Sequence, residues 1–179
     1  VEPMFVDGDG RPDVDAWDAE RPSTRLNDVG GMQDVKDRIE SAFLAPLRNP
    51  ELRAAFSKNL KGGLMLYGPP GCGKTFIARA IAGEIAAKFL SVSLAAVLDM
   101  YIGKSAQNVH ELFEVARANA PCVIFLDEVD ALGQKRSQMR NSATRGTVNQ
   151  LLTEMDGMAA GNEGVFVLGA TNHPWDVDA

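Results

Sequence analysis

The chain is poor in cysteine, has no long apolar run and carries less positive than negative charge. Its 179 residues include only two cysteines, Cys72 and Cys122, far apart in sequence. That excludes a disulfide-framed scaffold and fits a reducing compartment, so a cytoplasmic location is expected. No apolar stretch approaches the roughly 18–20 residues of a membrane span, and no membrane segment is expected. The start, Val1-Glu2-Pro3-Met4-Phe5, lacks the basic region and apolar core of a secretory signal. Lys and Arg number 18 against 24 Asp and Glu, a net charge of −6, so binding to nucleic acid is not expected. Hydrophobic residues make up 45%, an ordinary share for a chain with room for one core. There are no internal repeats.

Residues 1–26 are rich in Asp, Pro and Gly and show no sustained hydrophobic period; Asp7, Asp9, Asp13, Asp15 and Asp18 repel one another. They are expected to form an acidic linker or tail, disordered or loosely docked, or the edge of an upstream domain. Residues 27–179 are expected to form the core domain. Val35, Ile39, Phe43 and Leu47 recur at helical spacing and predict an amphipathic helix, kinked or ended at Pro46. Glu51 to Phe56 reads as a second short helix. Leu64 to Tyr67, Phe89 to Val92, Cys122 to Leu126 and Val165 to Ala170 read as strands. Helices are expected over Lys74 to Ala87, Ser105 to Ala118 and Ala143 to Met155, the last with Val148, Leu151 and Leu152 inward. Apolar strands alternating with helices indicate an α/β protein, a parallel sheet covered on both faces in a three-layer α/β/α sandwich.

The stretch Gly68-Pro69-Pro70-Gly71-Cys72-Gly73-Lys74-Thr75 sits between a predicted strand and a predicted helix. A triphosphate needs donors without bulk and compensating positive charge. Gly71 and Gly73 let successive N–H groups converge, and the helix at Lys74 adds its positive end. Lys74 can reach the β- and γ-phosphates, and the Thr75 hydroxyl can ligate Mg²⁺. Asp127 and Glu128 directly follow the third strand. At a strand's carboxyl end beside such a loop, the first acid serves Mg²⁺ and the second polarises a water for attack on the γ-phosphate. Asp130 is placed to support that loop. The last strand ends in Asn172, which either faces the γ-phosphate or simply ends the strand as a turn former.

Four stretches together resemble the nucleotide-binding core of AAA ATPases, in the branch of valosin-containing protein and the AAA proteases. They are Asp28-Val29-Gly30-Gly31, Gly68 to Thr75, Ile124 to Asp130, and Leu151 to Gly157 running on to Asn172. The resemblance covers about residues 27–179. It implies a P-loop NTPase fold with strand order 5-1-4-3-2, in which the fifth strand, the arginine fingers and a helical lid are expected beyond Ala179. The first strand is then expected to be an exposed edge. Asp28 and Gly30 would line the adenine pocket, and Pro70, Gly71, Cys72, Gly73, Lys74, Thr75 and Phe76 would hold ATP or ADP. Asp127, through water, and Thr75 would serve Mg²⁺. Lys74, Glu128 and Asn172 would form the catalytic set, with Asn172 as the γ-phosphate sensor. Tyr101-Ile102-Gly103 matches a pore loop that grips polypeptide in the channel of a homohexameric ring; the alternative is an ordinary loop aromatic. Asp156-Gly157-Met158 matches a segment that communicates between subunits, or is a helix-end turn.

The implied function is ATP binding and Mg²⁺-dependent hydrolysis by a hexamer that unfolds or remodels proteins. The alternative is a nucleotide-responsive scaffold with little turnover. A GTPase or small-molecule kinase is disfavoured because no N-K-x-D stretch follows the last strand. Two departures stand out: Lys104 where the family usually has an acid, and His173 where an arginine is common. Lys135, Arg136, Arg140 and Arg145 form either a subunit-interface patch or a solvated loop. His110-Glu111-Leu112-Phe113-Glu114 lacks the second histidine of a zinc-protease helix and reads as a solvated face.

Overall fold

The structure, a computed structural model, describes residues 19–49, 62–99, 105–131, 142–156 and 164–173. Among these, four strands form one parallel sheet: β1 (Gly62–Tyr67), β2 (Lys88–Ser93), β3 (Cys122–Asp127) and β4 (Val165–Thr171). Their spatial order is β1-β4-β3-β2, which matches the expected order of those four strands. β3 is buried on both faces: Val123 and Phe125 join one core cluster, Cys122, Ile124 and Leu126 the other. This is why its sequence is an unbroken apolar run rather than an alternating one.

The first cluster packs Ile77, Ala78 and Ile81 of α3 (Lys74–Glu84) with Phe43 and Leu44 against Phe125, Phe166 and Leu168. The second packs α4 (Leu94–Asp99), α5 (Ser105–Ala118) and α6 (Ser142–Asp156) against the opposite face. The sequence pattern did not show α4, because six residues are too few to display a period; Leu94 and Val97 are nonetheless buried. The first predicted helix is three pieces: α1 (Gln33–Ile39), a π-helical turn (Glu40–Leu44) and α2 (Ala45–Arg48). Pro46 therefore does not end it. Proline lacks the N–H for an i→i−4 bond, and the widened turn before it accommodates that loss. The short helix expected at Glu51 to Phe56 lies outside the described residues.

β1 pairs with β4 alone among the described residues, and its Met65 and Tyr67 are 43% and 68% exposed. Among the described residues β1 is thus an edge strand, as the strand order implied. The opposite edge, β2, is met by Glu20, which exchanges two backbone hydrogen bonds with Phe89 at 3.1 and 2.8 Å. Leu26 is buried, its N–H donates to Glu84 Oε1 at 3.0 Å, and Glu20 pairs with Arg79 at 2.9 Å. Residues 19–26, assigned to the linker by composition, therefore dock on the core. Their anchors are backbone pairing, a buried leucine and bonds to Arg79 and Glu84, which an Asp- and Pro-rich composition conceals.

Leu152, expected inward, is 47% exposed. The inward stripe of α6 is Thr147, Val148, Leu151 and Glu154, the last only 3% exposed. Glu154 occupies that place because donors from α5 and α6 neutralise it: His110 Nδ1 and Gln150 Nε2 both lie 2.7 Å from Oε1, and Arg117 Nη2 donates to Oε2. His110 is thus half-exposed but joined to a buried acid, rather than part of a purely solvated face. No described helix is long and apolar enough to cross a membrane.

Two predictions follow from this packing. A Cβ on Gly83 would meet the Thr24 carbonyl oxygen at 1.9 Å. Gly83→Ala is expected to cost about 1–3 kcal/mol and to expose the 19–26 segment to protease; an unchanged urea midpoint would refute the contact. Burial pushes the Glu154 carboxyl up, but hydrogen bonds from His110, Arg117 and Gln150 outweigh it and hold the group below its ordinary 4.5. Its stabilisation is present above that value and is lost as pH falls through the lower folded value. Glu154→Gln should cost about 1–3 kcal/mol near neutral pH. The gap from wild type should narrow in acid, as chemical denaturation at both pH values will show.

Candidate functional site

The parallel register brings the carboxyl ends of all four strands to one side. Tyr67 aligns with Thr171, Leu126 with Gly169, and Ser93 with Asp127. Because β4 lies between β1 and β3, the residue after β4 must lie between the loop after β1 and the acids after β3. That residue is Asn172.

After β1 the chain turns through Gly71 (φ 75°) and Gly73 (φ 88°), both in the left-handed region, and Gly73 caps α3. An added Cβ on Gly71 would meet nothing within 4 Å, so conformation rather than space calls for glycine there. Lys74, the first residue of α3, folds its ammonium back into the loop. Nζ donates to Gly68 O at 2.8 Å, Pro69 O at 3.1 Å and Asn172 Oδ1 at 2.7 Å, with Cys72 Sγ at 3.8 Å. Lys74 and Asn172, 98 positions apart in sequence, are thereby joined. Lysine can only donate, so the oxygen of the Asn172 amide faces it, which leaves the Nδ2 hydrogens to serve an acceptor.

Asp127 ends β3, and its Oδ1 accepts the Glu128 N–H at 2.9 Å. Glu128 has φ 58°. Its Oε2 accepts a 2.7 Å hydrogen bond from Ser93 Oγ at the end of β2. Sequence reading missed Ser93: a serine ending a strand is commonplace, and only the Ser93–Asp127 register reveals its place. The following turn is pinned to β4 by Val129 N donating to Ala170 O at 3.0 Å. Asp130 Oδ1 accepts from Thr171 Oγ1 at 2.8 Å.

Asp28 closes a short turn, accepting the Arg25 N–H at 2.7 Å and donating its own N–H to Arg25 O at 2.9 Å. Beyond exposed Gly30, Met32 adopts φ 53°. Its Cε lies 4.0 Å from where a Gly73 Cβ would be, which sets the Asp28–Met32 segment beside the phosphate loop. Met32 and Phe76 stay 41% and 45% exposed there. Sequence reading did not single out Met32.

Thr75 and Asp127 offer a hydroxyl and a carboxylate, the hard oxygen donors that suit Mg²⁺. Cys72 and Cys122 are both free thiols, and burial raises the Cys122 pKa to about 11. Tyr101, Ile102, Gly103 and Lys104 lie outside the described residues, as do Lys135, Arg136, Arg140, Gly157 and Met158. The Arg145 and Asp156 side chains are likewise outside the description.

The family model for the ATPase family associated with various cellular activities (AAA) matches residues 64–179. The nuclear valosin-containing protein-like protein of Mus musculus is 45% identical over 157 residues, covering 88% of this chain and 18% of that protein. The ATP-dependent zinc metalloprotease FtsH of Acidothermus cellulolyticus is 43% identical over 175 residues, 96% of this chain and 26% of that protein. The chain thus spans about a quarter or less of the length of these curated relatives. Among solved structures, one from work on the structural basis of katanin self-assembly superposes with a TM-score of 0.68 at 41% identity. It covers 87% of this chain and 49% of that one. On the extent of the family match and the strand order together, this chain belongs to the AAA family of ATPases.

Proposed function

We propose that this chain binds ATP at the carboxyl ends of β1, β4 and β3 and hydrolyses it with Mg²⁺. The observation that carries the reading is the 2.7 Å contact from Lys74 Nζ to Asn172 Oδ1. It joins the phosphate loop to the tip of β4, the strand hydrogen-bonded to the one bearing Asp127. When nucleotide arrives, phosphate oxygens replace the carbonyl oxygens as acceptors for Lys74, and the N–H groups of the loop and of the first turn of α3 converge on them. Exposed Met32 and Phe76 suit the flat apolar face of a purine near Asp28 and Gly30. Thr75 and, through water, Asp127 would hold Mg²⁺, which would supply charge neutralisation for the phosphates.

Glu128 is the general base of this reading. Its carboxylate takes a proton from water as the water oxygen bonds to the γ-phosphorus. The bond from that phosphorus to the β–γ bridging oxygen breaks, giving ADP and phosphate. Asn172 would donate through Nδ2 to a γ-phosphate oxygen.

The wider reading is a subunit of a homohexameric ring that unfolds or remodels polypeptide, with Tyr101-Ile102-Gly103 as the gripping loop. It draws support from the self-association of the katanin relative and from the protease named among the relatives. The site itself is tested by two substitutions in the full-length protein. Lys74→Ala should weaken ATP binding at least about tenfold. Glu128→Gln should leave binding in place and cut turnover by about 10²–10⁴. Equal ATP affinity in wild type and Lys74→Ala would sink the reading.

A further inference from the structure

Asn172 is bracketed by two residues that share one acid. The His173 N–H donates to Thr171 Oγ1 at 3.0 Å. The Thr171 hydroxyl hydrogen is given to Asp130 Oδ1 at 2.8 Å. The other oxygen of Asp130 lies 3.5 Å from His173 Nδ1. The proton count closes: a hydroxyl has one hydrogen to give and lone pairs to receive, and Thr171 uses both functions. Thr171 is buried, 1% exposed, so its hydroxyl needs these partners, and a side chain unable to supply them would leave it unsatisfied. Asp130 lies two residues beyond Glu128, in the turn that Val129 also fastens to β4 through Ala170 O.

From this ring we infer that Asp130 is a positioning residue, one that fixes the γ-phosphate-facing Asn172 relative to the water-activating Glu128. The inference rests on the ATPase reading above and deepens it. Residues 171 and 173 are held on both sides of Asn172, so its backbone cannot turn without breaking the ring. The same carboxylate belongs to the turn that carries Glu128. One side chain therefore sets the spacing between the groups assigned to the two sides of the reacting phosphate. Burial works to raise the Asp130 pKa, but hydrogen bonds from Thr171, its own backbone and His173 prevail and lower it. Asp130 touches no nucleotide in this scheme. It acts through Asn172 and Glu128, so it should govern γ-phosphate discrimination and the chemical step rather than general nucleotide affinity.

The test compares wild type with Asp130→Ala, Asp130→Asn and Thr171→Val in the full-length protein. It measures ADP affinity, affinity for a non-hydrolysable ATP analogue, and kcat with KM. Asp130→Ala should leave the ADP Kd within about twofold, weaken the ATP analogue severalfold, and lower kcat by about 10–100-fold, the scale of a displaced catalytic group. Asp130→Asn retains an acceptor for Thr171 and should recover part of both losses. Thr171→Val, close in shape but without the hydroxyl, should reproduce the alanine pattern and stands in if Asp130→Ala does not fold. Equal weakening of ADP and ATP analogue would mark Asp130 as merely structural and overturn the inference. So would wild-type kcat in both Asp130→Ala and Thr171→Val. A wild type that binds neither nucleotide would overturn the ATPase reading itself, and this inference with it.

Discussion

The site depends on one constraint: the fourth strand in sequence lies between the first and the third in space. β4 hydrogen-bonds to β1 along one edge and to β3 along the other, in parallel register on both sides. Parallel pairing aligns carboxyl ends, so each strand delivers its following residues to the same rim. The phosphate loop, the acid pair and the amide come from three separate stretches of chain. They meet because the ladder allows no other arrangement. The core enforces that ladder from both sides. Slipping β3 by one residue would exchange Phe125 with its neighbours and carry Asp127 off the rim.

Charge is distributed around the rim by the same logic. Lys74 stands at the start of a helix, and among the described residues its ammonium is held by carbonyl and amide oxygens rather than by a carboxylate. An ion pair with Asp127 or Glu128 would have to be broken on binding. Neutral acceptors can be exchanged for charged phosphate oxygens with net gain, since hydrogen bonds between charged groups are the stronger ones. Among the described residues, Glu128 is likewise held by a hydroxyl, that of Ser93. Among the described residues, both charged groups are oriented by neutral partners.

The legible parts of the sequence were those where local chemistry alone decides the outcome. Gly71 and Gly73 announce a backbone curl because other residues resist positive φ. Val123, Ile124 and Phe125 announce a strand buried on both faces. Asp127 and Glu128 stand out because they abut that strand, at whose carboxyl end they lie. What stayed hidden depends on pairing between distant segments. Composition cannot show that Glu20 bonds across to Phe89, or that Ser93 stands level with Asp127. Hydrophobicity ranked Leu152 above Glu154 for the inward place on α6. The donors on His110 and Arg117 reverse that order, and they lie on another helix. The ring of Asp130, Thr171 and His173 was hidden for the same reason: its members come from two strand ends.

Backbone strain points to the same rim. Among the described residues, three non-glycine positions have positive φ: Met32, Ala86 and Glu128. Ala86 directly follows the C-cap of α3, where a left-handed residue commonly closes a helix. The other two flank the proposed nucleotide. A left-handed conformation at such residues costs on the order of 1–3 kcal/mol and persists only where the surroundings over-determine it. At Glu128 those surroundings are visible: Asp127 Oδ1 holds its N–H, Ser93 holds its carboxylate, its carbonyl accepts from Ala131, and Val129 ties the turn to β4. Relaxing Glu128 to an ordinary φ would strip several of these bonds together. The strain therefore persists as the consequence of aiming a carboxylate from the end of a buried strand. An acid so held pays little reorganisation when water and phosphate take their places beside it.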